Sequence, residues 1–277
     1  MSRVLAFLLL LPTFARTQEL VITHARLFDG DSVYENAALA APAHASPESP
    51  VGLQRGVTFT EYSPLAANSE MVRRLYSPLA AAEIDRMVAR SGKQLIEQSI
   101  DLAQERFTDY VPAHAPPQGY GLLVFIPPWQ EAGLPRRWAE VFDQHGVIFV
   151  SAARSGNDEE PFTRREPLAL LAAHNIMQRY PVNREHVFIG GLSGGSRIAL
   201  RVALGYPYLF RGALLNAGSD PLDAVPPVIP PRELFARFQE ATRIVFVTGD
   251  RDEYHPHRAR SISVSFQVLS NRGFLGP

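Results

Sequence analysis

The stretch HVFIGGLSGGSRIALRVALGYP, His186 to Pro207, decides how this chain folds. Its first residues, Val187, Phe188 and Ile189, are strand formers, and Ile198 to Leu204 is an apolar helical run. Gly-Leu-Ser-Gly-Gly stands between them. A strand that becomes a helix within so few residues turns sharply, and the corner residue takes a backbone conformation that a β-carbon resists. Gly191 and Gly195, two positions either side of Ser193, remove the clashes that would forbid the turn. Ser193 is then expected at the carboxyl edge of a sheet, at the N-terminus of a helix whose dipole favours developing negative charge. That makes it a candidate nucleophile; the plainer alternative is a glycine-rich turn with an idle serine.

Outward from this corner, apolar runs alternate with amphipathic segments from about Gln104. ERFTDYVP and YGLLVFIPP read as neighbouring strands, RRWAEVFDQHG as a helix, VIFVSAA as a strand and REPLALLAAHNIMQRYP as a helix. After the corner, RGALLNAG and RIVFVTGD read as strands with PRELFARFQEA as the helix between them. Strand segments without polar alternation are covered on both faces, which predicts a doubly wound, mostly parallel α/β sheet. Upstream, NAALAAPAHASPESP (36–50) reads as an extended surface segment. YSPLAA occurs at Tyr62 and Tyr76, each time with serine in the capping place and proline at the first helical position, which predicts two helices in succession. The expected division is a signal peptide over 1–17, an N-terminal extension over 18–103 and an α/β domain over 104–277.

The start MSRVLAFLLLLPTFARTQ sets Arg3 before an apolar run from Val4 to Phe14. That order is expected of an export signal leading to the periplasm or the medium, and the run is shorter than the roughly 20 residues a membrane span needs. Charges nearly cancel, 28 acidic against 27 basic, so no global field recruits nucleic acid or an anionic surface. The chain has no cysteine, which excludes a thiol nucleophile and a thiolate metal site.

An activated serine needs donors for an oxyanion, an acid and a base. One donor is the amide of Gly194, the residue after the serine; another is expected after the strand GLLVFI, where Pro127 and Pro128 have no N–H and Trp129, or next to it Gln130, supplies the amide. The acid is expected in VFVTGDRDEYHPH, at Asp252, with Asp250 capping the turn and Asp220 in NAGSDPLD as the alternative. The base is the difficulty: His255 and His257 are the last histidines, only three and five positions past Asp252, and His257 is assigned the role. The other reading is that the last strand, last helix and true histidine are missing from this chain. His145 and His186 fall at strand entrances on the wrong edge, and His174 on an apolar helix face. The Asp250, Asp252, Glu253, His255, His257 cluster has metal-ligand types without a recognised spacing, so neither a metal nor any other cofactor is expected.

ERFTDYVPAHAPPQGYGLLVFIPPW, the His186 corner and IVFVTGDRD resemble the α/β-hydrolase superfamily, within it the polyhydroxybutyrate-depolymerase-like and feruloyl-esterase-like secreted esterases, over about Gln104 to Asp252. The resemblance implies Ser193 as nucleophile, Asp252 as acid, the Trp129 and Gly194 amides as oxyanion hole, and a small or polymeric ester as substrate. Two departures stand out: Pro127 and Pro128 replace the family's His-Gly pair, and no histidine follows His257. Two other functions stay open, a non-catalytic binding protein on the same fold and a peptidase using the same residues.

Overall fold

A computed structural model describes residues 50–135, 137–220 and 229–247. The proposed signal peptide, most of the extended segment, and Asp250, Asp252, Glu253, His255 and His257 lie outside the described residues. Among the described residues seven strands form one sheet: β1 (Gly52–Val57), β2 (Phe107–Val111), β3 (Tyr120–Ile126), β4 (Val147–Ala152), β5 (Val182–Leu192), β6 (Gly212–Asn216) and β7 (Arg243–Val247), in the order β1-β2-β4-β3-β5-β6-β7. β2 is antiparallel to both β1 and β4, and the remaining pairs are parallel. Six described α-helices accompany them: α1 (Asn68–Leu75), α2 (Pro78–Ser91), α3 (Trp138–His145), α4 (Glu166–Arg179), α5 (Gly194–Gly205) and α6 (Arg232–Ala241). None of the described helices is long and apolar enough to cross a membrane.

The sheet is doubly wound because the chain reverses direction at β3. From β3 it passes through α3 to β4 on one side; from β4 it crosses back through α4 to β5 on the other, then continues through α5 and α6 to β6 and β7. Right-handed crossovers running in opposite directions put their helices on opposite faces. The side chains of β3 agree. Leu122, Val124 and Ile126 enter the large core with α4 and α5, whereas Leu123 and Phe125 enter a smaller aromatic cluster with Phe142 of α3 and Phe149. Trp138 of α3 stands edge-on to Phe125, centroids 5.5 Å apart. All seven residues of β3 are buried, which is why its sequence has no polar alternation.

Two expectations change. β2 and β3 are not neighbours, because the crossover through α3 brings β4 into the slot beside β3 and β2 pairs with β4 instead. Among the described residues the sheet begins at Gly52, upstream of the boundary expected at Gln104: β1 is the edge strand of that described sheet, and Phe59, Leu65, Met71, Leu75, Ile100 and Leu102 belong to the same core. Both serine caps are present, Ser63 Oγ accepting the Leu65 amide at 3.2 Å and Ser77 Oγ the Ala80 amide at 3.3 Å. The first cap opens a short 3₁₀ turn, Pro64–Ala66, ahead of α1; the second opens α2.

Polar groups fasten α1 to α5. The fully buried Arg74 pairs with Glu70 at 2.5 Å and lies over the Tyr206 ring, 4.9 Å from its centroid. Tyr206 in turn donates to the Leu65 carbonyl at 2.8 Å. Gly205 lets the helices approach, since a β-carbon there would stand 2.6 Å from Leu75 Cδ2.

A second buried charge links α4 and α5. Glu166 Oε1 lies 2.8 Å from Arg201 Nε, close enough to pair although off the line of the N–H. Burial pushes the Glu166 carboxyl up to about 7, against 4.5 in the free chain, while Arg201 and Arg165 pull it down. The unfolded chain therefore loses this proton first, and stability falls as pH rises from 4.5 toward 7, then levels. Arg201→Met withdraws the nearest countercharge and is expected to lower unfolding free energy by about 3 kcal/mol at pH 8, and by clearly less at pH 5. Urea unfolding at the two pH values checks this; equal losses would show that the carboxylate charge is not responsible.

Candidate active site

Outgoing connections diverge at the carboxyl ends of the adjacent strands β3 and β5, one leaving through α3 and the other through α5. A crevice opens at such a divergence, where both neighbouring loops leave the sheet without covering the gap. Ser193 lies there, between β5 and α5, with φ 56° and ψ −117°. This region of backbone space is almost confined to glycine, and a residue with a β-carbon held there is strained by about 1–3 kcal/mol.

Three glycines make room for it. A β-carbon at Gly191 would stand 2.7 Å from the Ser196 amide nitrogen; one at Gly195 would overlap the Ile126 carbonyl oxygen; one at Gly218 would overlap the Ser193 carbonyl oxygen. Hydrogen bonds then hold the corner: the Ser193 amide donates to Asn216 O at 2.8 Å, and Ser196 Oγ is within 2.7 Å of Gly191 O and 2.8 Å of Asn216 O. Ser196 is a supporting residue that the sequence pattern did not single out. Ser193→Gly is expected to raise unfolding free energy by about 1 kcal/mol, strain relief exceeding the added chain entropy. A urea midpoint below that of the parent protein would show the backbone to be unstrained.

The two expected donors lie on the segments that follow β3 and β5. Gly194 is the first residue of α5, whose leading amides have no partner inside the helix. Trp129 lies in the bend after β3, three residues past Ile126, whose carbonyl packs on Gly195, and is 44% exposed. The two prolines turn their carbonyls inward: Pro128 O accepts the Asn157 amide at 3.0 Å, and Pro127 O accepts from Arg165 Nη2 at 3.3 Å. The loop after β4 braces the bend from the other side. Arg154 N donates to Gln130 O at 2.6 Å, and a β-carbon at Gly156 would stand 2.8 Å from the Trp129 carbonyl carbon. Asn157 fills the space that a side chain at Gly194 would take, its amide group against the Gly194 Cα. Asn157 too escaped the sequence reading; its only signal is its place after a central parallel strand, on the edge where ligands bind.

The alternative acid, Asp220, lies in the loop after β6 and pairs with Arg197 of α5, Oδ1 to Nε 3.2 Å. Burial raises its carboxyl pKa, opposed by Arg197 and Arg201. Among the described histidines, His145 ends α3 and His186 lies in the entering half of β5, both at the opposite edge from Ser193. His174 is half-buried on α4, its proton affinity lowered by burial and partly restored by Glu61. His114 follows the C-terminus of β2, which, being antiparallel to β4, also ends at that opposite edge. The residues expected to supply acid and base, Asp252 and His257, with His255, lie outside the described residues.

No family model matches the chain, and no curated protein does. Solved structures do. It is similar to an acetyl xylan esterase from Aspergillus awamori at 19% identity, covering 42% of this chain and 47% of that one, TM-score 0.38. A ferulic acid esterase is 15% identical over 62% of this chain and 81% of its own, TM-score 0.44. A poly(3-hydroxybutyrate) depolymerase from Bordetella parapertussis is 17% identical over 61% and 73%, TM-score 0.43. The chain spans about half the length of the first two structures matched, 47% and 58%. The strand order with its single antiparallel reversal, the helices on both faces and the strained serine between β5 and α5 make this an α/β-hydrolase fold.

Proposed function

We propose that the chain is a serine hydrolase acting on carboxylic esters. One observation carries the reading: a serine, not a glycine, occupies a backbone conformation with φ 56° that glycine alone adopts without strain, at the crevice edge of the sheet. Ser193 Oγ attacks the ester carbonyl while a histidine, assigned as His257, takes its proton; the carbonyl oxygen becomes an anion facing the Gly194 and Trp129 amides. The tetrahedral species collapses, the alcohol leaves with the proton from the histidine, and an acyl group remains on Ser193. Water, deprotonated by the same histidine, releases the acid. Asp252 orients the imidazole.

The choice of an ester over a peptide bond rests on the sequence resemblance to secreted esterases, and export rests on the apolar leader that follows Arg3. The test is covalent. A fluorophosphonate probe is expected to label the protein at Ser193 and to leave folded Ser193→Ala unlabelled; a folded parent protein that resists labelling sinks the proposal.

A further inference from the structure

Arg165 is buried, 4% exposed, and none of the reacting groups is its neighbour in sequence. It closes a single π-type turn, Pro161–Arg165, with its amide donating to Glu160 O at 3.1 Å just before α4 begins. Such a turn inserts one extra residue and re-aims the side chain that ends it. Here the guanidinium points beneath the crevice and donates to two main-chain carbonyls from different loops: Nε to Ser155 O at 2.8 Å and Nη2 to Pro127 O at 3.3 Å.

Those carbonyls belong to the two segments that flank the serine corner. Pro127 begins the bend that carries the Trp129 amide, and Ser155 lies in the loop after β4, whose Gly156 packs on the Trp129 main chain and whose Asn157 contacts Gly194. Prolines at 127 and 128 cannot donate, so this bend has few main-chain groups with which to hold itself, and its carbonyls must be held by others. Only a forked, planar donor reaches two carbonyls at once in a fixed geometry; an ammonium on a flexible stem does not. The Glu166 carboxylate and Glu159 lie close enough to act on the Arg165 charge, so the buried cation is compensated.

We infer that Arg165 is a positioning residue for the oxyanion donors, a clamp that fixes the Trp129 amide relative to Gly194 by holding the loops after β3 and β4 together. The inference rests on the serine-hydrolase reading of the site. Its effect belongs to the transition state, where the oxygen carries charge, more than to the bound ester.

The experiment uses Arg165→Lys, which keeps the charge and loses the fork. In the parent protein and the variant, hydrolysis of a p-nitrophenyl ester is measured beside acrylamide quenching of Trp129, made the sole tryptophan by Trp138→Phe. Expected are a fall in kcat of about 100-fold with KM within about twofold, the size seen when an oxyanion donor is lost, and a steeper quenching of Trp129. A folded variant with parental kcat and parental quenching overturns the clamp. If neither protein turns over ester while quenching still steepens, the esterase reading falls and the clamp stands. Should Arg165→Lys fail to fold, hydrogen exchange of the Arg165 Nε–H in the parent protein decides: slow exchange supports the bond to Ser155 O, and exchange at the rate of a free guanidinium overturns it.

Discussion

Gly195→Ala is expected to abolish the folded state. A β-carbon at this position would overlap the carbonyl oxygen of Ile126, which is the last residue of β3, while Gly195 itself belongs to the first turn of α5. Neither partner is a side chain that can rotate away. Both are main chain, anchored by a fully buried central strand and by a helix packed on it, so relief requires α5 to lift from the sheet. Changes that force two packed backbones apart fall in the rare class costing more than about 4 kcal/mol, a large share of a domain's whole stability. Gly133→Ala serves as the comparison, since a β-carbon there meets nothing within 4 Å and its backbone is not in the left-handed region. Circular dichroism and soluble yield of the two variants check the expectation. A folded Gly195→Ala protein with parental urea midpoint would mean that β3 and α5 approach less closely than described.

Ser193→Ala is expected to keep the fold and to lose ester hydrolysis by a factor on the order of 10⁶ in kcat, as when the nucleophile of a serine hydrolase is removed. KM should change little, because the hydroxyl makes its decisive bond only as the carbonyl becomes tetrahedral. Alanine retains the strained β-carbon, so this variant separates chemistry from backbone strain, whereas glycine at the same position changes both. The measurement also sorts the competing readings. Turnover that survives Ser193→Ala places the chemistry elsewhere, and a parent protein that binds esters without turning them over is a binding protein on a hydrolase scaffold. Cleavage of a peptide analogue in preference to the ester would make it a peptidase.

How much of this was legible in sequence follows the distance over which each feature is determined. The corner at Ser193 was legible because strand, glycines and helix are contiguous, and the two serine caps at Ser63 and Ser77 for the same reason. β3 and β4 were legible because strands covered on both faces leave no polar alternation. β1 was not: Gly52–Val57 reads GLQRGV, with two glycines, a glutamine and an arginine, and it is a strand only because β2 offers it an edge. The order β2-β4-β3 escaped because nearness in sequence favours pairing β2 with β3, and which side of β3 receives β4 is decided by contacts between segments far apart in the chain. In the candidate site, Gly194 and Trp129 are expectations that a rule supplies, one following the serine and one following β3. Asn157 and Arg165 escaped because their partners, Gly194, Pro127 and Pro128, come from other loops and meet them only once β3, β4 and β5 are side by side.

The strained backbone at Ser193 bears on how this chain would change over generations. If glycine there is the more stable residue, a lineage relieved of any demand on the hydroxyl gains from each mutation toward glycine and has nothing to lose by it, since stability is the quantity that random substitution erodes. A serine that stays in place against such a gradient works as a clock hand held still, and sequencing a population propagated without ester in its medium would show whether it starts to move.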